Sequence, residues 1–146
     1  MIRLPKDFSE FLKLLNSKQV DYLLIGGWAV GYYGYPRATG DMDIWISTNE
    51  ENASKIVKVL KEYGFDVPEL STKLFTKVNQ ITRLGVPPLR IEILTTISGV
   101  LFNECYERRQ TVLIDDVKIN FISLEDLKKN KAAARRHKDL DDFEKL

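Results

Sequence analysis

One stretch, residues 22–48, constrains the fold of this chain more than any other; its sequence is YLLIGGWAVGYYGYPRATGDMDIWIST. The large apolar residues 22–25 predict a buried strand. The pair Gly26-Gly27 ends that strand, and a short helix is predicted over residues 27–33. A loop then leads to a second predicted strand at 41–47. The stretch therefore predicts strand, glycine turn, helix, loop and strand in direct succession.

Two carboxylates, Asp41 and Asp43, open the second predicted strand. Because side chains alternate along a strand, these two share a face and lie roughly 6.5–7 Å apart along the backbone. Met42, Ile44 and Ile46 then point to the opposite face, which we expect to be the core. Paired carboxylates supply the hard oxygen ligands that Mg²⁺ prefers, and Mn²⁺ suits them as well. The pattern therefore predicts that Asp41 and Asp43 bind one or two divalent cations.

The glycine pair has two interpretations that the pair alone leaves open. It lets the backbone approach phosphate oxygens at the start of a helix, or it only makes a tight turn. A P-loop is excluded because neither Lys-Ser nor Lys-Thr follows Gly31 or Gly34. A Rossmann fingerprint is excluded because the spacing of Gly27, Gly31 and Gly34 is wrong for it.

Further helices and strands are predicted along the rest of the chain. Apolar spacing predicts helices over residues 6–18, 49–63 and 98–109, and a last helix that opens at Ser123 and continues through the tail. Residues 74–95 predict a strand pair that turns at 85–88, and residues 111–122 predict a hairpin around Asp115-Asp116. Strands that alternate with helices predict an α/β (α+β) fold, and 146 residues predict one domain, 1–146.

Composition and charge exclude several classes of protein. The 22 Lys and Arg residues against 21 Asp and Glu give a net charge of +1, which argues against a generic nucleic-acid coat protein. The single cysteine, Cys105, excludes an internal disulfide. Neither a signal peptide nor a membrane span is apparent, so we expect a cytoplasmic protein.

The spacing of the glycine and polar residues in this stretch resembles the nucleotidyltransferase fold of the DNA polymerase beta superfamily. Gly26-Gly27 is followed by Arg37-x-Thr39-x-Asp41-x-Asp43. The segment is similar to small bacterial and archaeal enzymes, above all lincosamide and aminoglycoside nucleotidyltransferases and the nucleotidyltransferase toxins of abortive-infection systems. The resemblance implies a mixed sheet flanked by helices, a glycine turn that binds nucleotide phosphates with Arg37 and Thr39, and an Asp-x-Asp pair that carries the metals.

A third acid, Glu92, lies in the second arm of the predicted strand pair. Ile91 and Ile93 share one face of this arm, while Arg90 and Glu92 share the other. The superfamily places its third acid on such a strand, although that acid is usually aspartate. Glu92 by itself is better explained as an edge-strand charge or a partner for Arg90. Beside the aspartate pair, a catalytic and metal-binding role is favoured.

The tail, LKKNKAAARRHKDLDDFEKL, resembles the Lys-x-x-Ala-x-Arg-x-x-Lys-Asp-x-x-Asp-like segment with which similar nucleotidyltransferases end. The match implies that Lys131, Arg135 and Lys138 face the triphosphate. It also implies that Asp139 and Asp142 hold the helix or its turn in place. The alternative is a solvated charged helix.

Together these residues predict an Mg²⁺-dependent nucleotidyltransferase that moves a nucleoside monophosphate from an NTP, most simply ATP, to an acceptor hydroxyl and releases pyrophosphate. A small molecule, an RNA or a protein stays open as acceptor, with the interface of a homodimer or a partner protein as one place to bind it. The first alternative is a catalytically silent nucleotide-binding regulator or antitoxin of the same fold. The second is a structural α/β domain whose acids are merely solvated.

Overall fold

The computed structural model describes residues 4–35, 40–86 and 90–146, with His137 and Lys138 described by their backbone alone. The helices are α1 (Lys6–Ser17), α2 (Gly26–Tyr32), α3 (Glu50–Tyr63), α4 (Phe102–Glu107), α5 (Leu124–Ala134) and α6 (His137–Lys145). The strands are β1 (Tyr22–Ile25), β2 (Asp41–Ile46), β3 (Ile81–Leu84), β4 (Arg90–Leu94), β5 (Gln110–Ile114) and β6 (Val117–Phe121). None of the described helices is long and apolar enough to cross a membrane.

The six strands of the described residues form one mixed sheet in the order β3-β4-β2-β1-β6-β5. Strand β1 runs antiparallel to β2 and parallel to β6, and β2 runs parallel to β4. These directions place the end of β1 and the starts of β2 and β4 at the same end of the sheet. Ile25 pairs with Asp43, and Asp43 pairs in turn with Glu92. One end of the sheet therefore collects the glycine turn and all three predicted acids.

The faces of the central strands follow the alternation that the sequence predicts. All four residues of β1 are buried, as expected for a strand with a neighbour on each side. On β2, Met42, Ile44 and Ile46 are at most 1% exposed. On β4, Ile91 and Ile93 are buried while the side chains between them are half-buried. The predicted mixed sheet flanked by helices is confirmed.

Local signals placed α3 and the β5–β6 hairpin correctly. The Asn49 side chain accepts a hydrogen bond from the backbone N–H of Asn52 at 2.8 Å, which caps the start of α3. Gly64 ends the helix with φ of 110°, a value that few other residues adopt. In the hairpin turn, Asp115 and Asp116 have φ of 51° and 65°, and aspartate tolerates this left-handed region.

The strand predicted over residues 74–84 is wrong in its first half. Residues Thr72–Phe75 form a 3-10 turn that buries the ring of Phe75 completely. Only Ile81–Leu84 pair with β4. Just before them, the backbone N–H of Asn79 donates to the Thr96 hydroxyl at 2.9 Å. At that point threonine hydroxyls, in place of backbone carbonyls, accept the hydrogen bonds of the backbone N–H groups, so the regular strand pairing stops.

The two remaining helix predictions were too long. The helix predicted over 98–109 is reduced to Phe102–Glu107, because Gly99 has a φ of +81° and packs against α5. The single helix predicted for the tail is broken in two at Arg135, whose φ is 59°. The short helix after β1 begins at Gly26 and ends at Tyr32, one residue earlier at each end than predicted.

Candidate active site

A cleft of about 290 Å³ opens where the end of β1 faces the loop after β4 and the junction of α5 with α6. Its described lining residues are Ile25, Gly26, Gly27, Asp43, Leu94, Thr96, Ile97, Ser98, Asn130, Lys131, Ala134, Arg136 and Asp139. The cleft therefore joins the glycine turn and one predicted acid to cationic side chains from the tail.

Gly26 and Asp43 meet at the base of this cleft. Gly26 has a φ of +66°, a conformation that strains residues with a side chain. A Cβ atom at this position would also overlap Oδ2 of Asp43. Glycine is thus required here twice, once for the turn and once for the close approach of the carboxylate to the backbone.

Arg90 pairs with two of the three predicted acids. Its Nε and Nη2 donate to the two carboxylate oxygens of Asp41 at 3.2 and 2.9 Å. Nη2 also lies 3.2 Å from Oε1 of Glu92, and Nε of Arg83 reaches the same oxygen at 3.2 Å. The hydrogen bond to Asp41 raises the pKa of Arg90 above its already high ordinary value. Glu92 is therefore a partner for Arg90, as one interpretation of the sequence held.

The three acids fit a hard divalent cation by their chemistry, although their side chains are not gathered around one point. They supply carboxylate oxygens, the ligands of Mg²⁺, from neighbouring positions on β2 and β4. Asp43 in addition lies against a backbone that carries no side chain to block it. Within residues 4–35, 40–86 and 90–146, no three Asp, Glu, His or Cys side chains form a ready metal-binding group. Loading such a metal would require Asp41 and Glu92 to exchange an arginine for the cation.

A buried ion-pair cluster joins α5 to α6 beside the cleft. The ammonium of Lys131, whose side chain is 5% exposed, lies 3.1 Å from Asp139 and 3.2 Å from Asp142. Arg136 binds Asp139 through two hydrogen bonds, at 2.5 and 3.2 Å. Burial alone would raise the pKa of Asp139, but the hydrogen bonds from Arg136 and Lys131 outweigh it and hold that pKa below its ordinary value. Asp139 and Asp142 thus fix the turn between the helices, as predicted.

The residues predicted to bind nucleotide phosphates are distributed unevenly around the cleft. Gly26, Gly27 and Lys131 line it. Arg135 is exposed and is not among the described lining residues. Arg37 and Thr39 lie outside the described residues, as does the side chain of Lys138.

Sequence reasoning identified Lys131 but missed a second tail cation that lines the cleft, Arg136. The Arg136 side chain is 72% exposed, although its Nε and Nη2 atoms donate hydrogen bonds to Asp139. The family-like spacing pointed to Arg135 instead. Because the left-handed backbone at Arg135 ends α5, a projection of the tail as one continuous helix places the residues after Arg135 on the wrong face.

The wall of the cleft opposite the glycine turn is the loop of residues 96–98, which the sequence did not single out. The side-chain amide of Asn130 donates to the carbonyl of Ser98 at 3.0 Å. Next to it, Gly99 packs so closely on Ala133 that a Cβ atom would overlap it. The signal was present in Gly99, but it depends on a contact with a distant residue on α5.

Solved structures share this architecture over most of the chain, and eight chains match. The Thermotoga maritima protein TM1012, assigned as a nucleotidyltransferase, has a TM-score of 0.64 at 19% identity, over 93% of this chain and 87% of that one. The lincomycin-bound lincosamide antibiotic adenylyltransferase LnuA has a TM-score of 0.62 at 18% identity, over 97% and 94%. An antigenic nucleotidyltransferase-like protein from Paracoccidioides brasiliensis has a TM-score of 0.55 at 21% identity, over 92% and 71%. At these identities the likeness shows the fold.

The family is shown by the sequence itself. The curated proteins that were compared give no match. Residues 5–146 match the model of a family described as "Nucleotidyl transferase of unknown function (DUF2204)". Because that match covers nearly the whole chain, the protein belongs to this family of nucleotidyl transferases.

Proposed function

We propose that this protein transfers a nucleoside monophosphate from an NTP, most simply ATP, to an acceptor hydroxyl and releases pyrophosphate. The observation that carries the proposal is the cleft in which Gly26, Gly27 and Asp43 face Lys131 and Arg136. A triphosphate with its metal needs carboxylate oxygens for the cation and cationic donors for the phosphates, side by side. This cleft has both.

In this proposal Asp41, Asp43 and Glu92 hold Mg²⁺ or Mn²⁺. When bound there, the cation would supply charge neutralisation for the reacting phosphate and the departing pyrophosphate. Asp43 lines the cleft, and Glu92 lies beside it on the next strand, where it either completes the metal site or accepts the proton of the attacking hydroxyl.

The phosphates are bound by the open backbone at Gly26 and Gly27 and by the guanidinium of Arg136. Asp139 fixes that guanidinium through its Nε and Nη2 atoms, so a phosphate oxygen would be met by the remaining donors of the group. The family resemblance adds a further set of nucleotide-binding residues to the proposal: Arg37, Thr39, Lys131, Arg135 and Lys138.

The first test is Asp43→Asn, followed by melting temperature with and without Mg²⁺-ATP. A ligand that binds only the folded state raises its stability, so under this proposal Mg²⁺-ATP should raise the melting temperature of the wild type. We expect Asp43→Asn to lose most of that gain, because an amide is a poor substitute for a carboxylate toward Mg²⁺. Asp116→Asn, in the hairpin turn, is the matched control and should keep the full gain. An Asp43→Asn protein that shows the wild-type shift would contradict the metal assignment.

A second candidate, a catalytically silent nucleotide-binding regulator, is favoured by one observation. Arg90 already neutralises Asp41 and Glu92, two of the acids that turnover needs. Calorimetric titration with ATP, with and without Mg²⁺, beside a pyrophosphate-release assay separates the two functions. Binding that needs no Mg²⁺ and yields no pyrophosphate supports the regulator.

The acceptor is a small molecule, an RNA or a protein. Incubation of radiolabelled NTPs with the protein and a cell extract sorts these classes directly. The label should appear in one of the three fractions, and the four NTPs compared side by side give the base preference.

A further inference from the structure

We propose that Arg90 is an internal counter-ion that competes with the divalent cation for Asp41 and Glu92, so that metal loading requires the arginine side chain to leave. This inference rests on the proposed function. It concerns how the same site is regulated.

The geometry makes metal and Arg90 alternatives rather than neighbours. Nη2 of Arg90 lies between the two acids, 2.9 Å from Asp41 and 3.2 Å from Glu92, and Nε completes a fork on Asp41. A Mg²⁺ ion needs carboxylate oxygens at about 2.0–2.1 Å in octahedral geometry. The oxygens of Asp41 and Glu92 that contact Arg90 face its guanidinium group. A cation bound by the same oxygens therefore has to take the place of that group.

The backbone of Arg90 is fixed while its side chain has an exit. The backbone N–H of Arg90 donates to the carbonyl of Gly40 at 3.0 Å, and the residue pairs in register with Asp41. The side chain is 30% exposed, so it can swing toward solvent without moving β4. The exchange therefore needs only a change of rotamer, which is fast for a partly exposed side chain.

Arg83 provides the natural comparison. Its Nε lies 3.2 Å from the same Oε1 of Glu92, but its side chain is 56% exposed. Its one described ion pair is with Glu92, whereas Arg90 holds two acids. Removing either arginine removes one positive charge near the site. Only the loss of Arg90 removes a cation that contacts both carboxylates.

The test is Mn²⁺ binding without nucleotide, measured by the loss of the free-ion signal in electron paramagnetic resonance. We expect Arg90→Gln to bind Mn²⁺ at least about tenfold more tightly than the wild type, and Arg83→Gln to gain clearly less. Arg90→Lys keeps the charge but loses the fork, so its affinity should lie between wild type and Arg90→Gln. Equal gains in Arg90→Gln and Arg83→Gln would mean only a general charge effect and would overturn the inference, as would an unchanged or weaker affinity in Arg90→Gln.

The wild type gives an independent readout that does not depend on how well the variants fold. In ¹⁵N spectra of the arginine side chains, the Nε–H signal of Arg90, assigned with Arg90→Lys, should shift when Mg²⁺ is added. A signal that stays in place while the metal binds overturns the inference and leaves the proposed function intact. If neither wild type nor Arg90→Gln binds Mn²⁺, even with α,β-methylene-ATP present, the metal site of the proposed function fails and this inference falls with it.

Discussion

Gly26 and Asp43 show what a single residue pair contributes to this site. The alternation of β2 predicted which face Asp43 occupies, because the strand period is fixed. The contact between its carboxylate and the backbone of Gly26 was not predictable, because it depends on the register of β1 against β2. Arg37 and Thr39 lie outside the described residues, so their predicted role stays a prediction.

Replacing Gly26 by alanine should damage both the stability and the ligand binding of this protein. The positive φ alone costs on the order of 1–3 kcal/mol for a residue with a side chain. The added methyl group would in addition push the Asp43 carboxylate away from its position. We therefore expect Gly26→Ala to lower the free energy of unfolding and to abolish the thermal shift with Mg²⁺-ATP.

Gly64→Ala separates these two effects. Gly64 also has a positive φ, 110°, but a Cβ atom added there would meet no atom of the described residues within 4 Å. It should lose a similar amount of stability and keep the thermal shift. If both variants keep the shift, the contact between Gly26 and Asp43 has no part in ligand binding.

At the scale of elements, prediction succeeded where the signals lie within the element and failed where they lie elsewhere. The cap at Asn49 and the glycine at Gly64 set the ends of α3 locally. By contrast, the start of α4 depends on Gly99 fitting against Ala133. A periodicity argument sees apolar spacing in both segments and has no access to that distant contact.

The cluster around Lys131 is what joins α6 to α5. Lys131→Met should lower the free energy of unfolding by on the order of 2–4 kcal/mol, because it leaves Asp139 and Asp142 buried with one cation fewer. Lys129→Met is the control on the same helix, since the described ion pair of Lys129, with Glu125, is exposed, and its loss should change stability by less than about 0.5 kcal/mol. Urea unfolding of both variants makes the comparison. Equal effects would show that the buried cluster contributes no more than a surface pair.

The break between α5 and α6 offers a stabilising substitution. Arg135 has a φ of 59°, and glycine adopts that conformation at no steric cost. We expect Arg135→Gly to raise the free energy of unfolding by about 0.5–1 kcal/mol in urea denaturation, because relief of a steric cost of roughly 1–2 kcal/mol is partly offset by the larger entropy that glycine loses on folding. The same protein tests the role predicted for Arg135 in binding nucleotide. A loss of ATP affinity would confirm that role despite the exposed position of the side chain, and unchanged affinity would reject it.

At the scale of the whole molecule, the directions of the strands determine where the site forms. Three distant parts of the chain meet in the cleft, at Gly26–Asp43, at the loop 96–98 and at the α5–α6 junction. The sequence could identify the acids and the basic tail, because residue type carries that chemistry. It could not predict that Arg136 would join Lys131 in the cleft or that Arg90 would pair with two of the acids. Both depend on how separate segments are juxtaposed by the sheet and by the turn at Arg135.

The pH dependence of stability tests the described ion pairs at the scale of the whole fold. Burial alone would raise the pKa of Asp126, but two hydrogen bonds from Arg108, both at 3.0 Å, and one from Ser123 outweigh it and lower that pKa. The pKa of Asp139 is lowered in the same way by Arg136 and Lys131. A carboxylate whose folded-state pKa is depressed contributes stability that is fully present above its unfolded pKa of 3.8 and is lost as the pH falls through the folded value.

As far as Asp126 and Asp139 are concerned, we expect the free energy of unfolding, measured by urea titration, to be nearly constant from pH 7 to about pH 5. It should fall steeply below about pH 4. Asp126→Asn should be less stable at pH 7 and should lose less stability on acidification, because its amide cannot take up the proton that the wild type binds on unfolding. Asp66→Asn, at an exposed position, should follow the wild-type curve. If Asp126→Asn and wild type fall in parallel between about pH 5 and pH 3, the pair with Arg108 does not lower the pKa of Asp126, and the acid sensitivity of the fold has another origin.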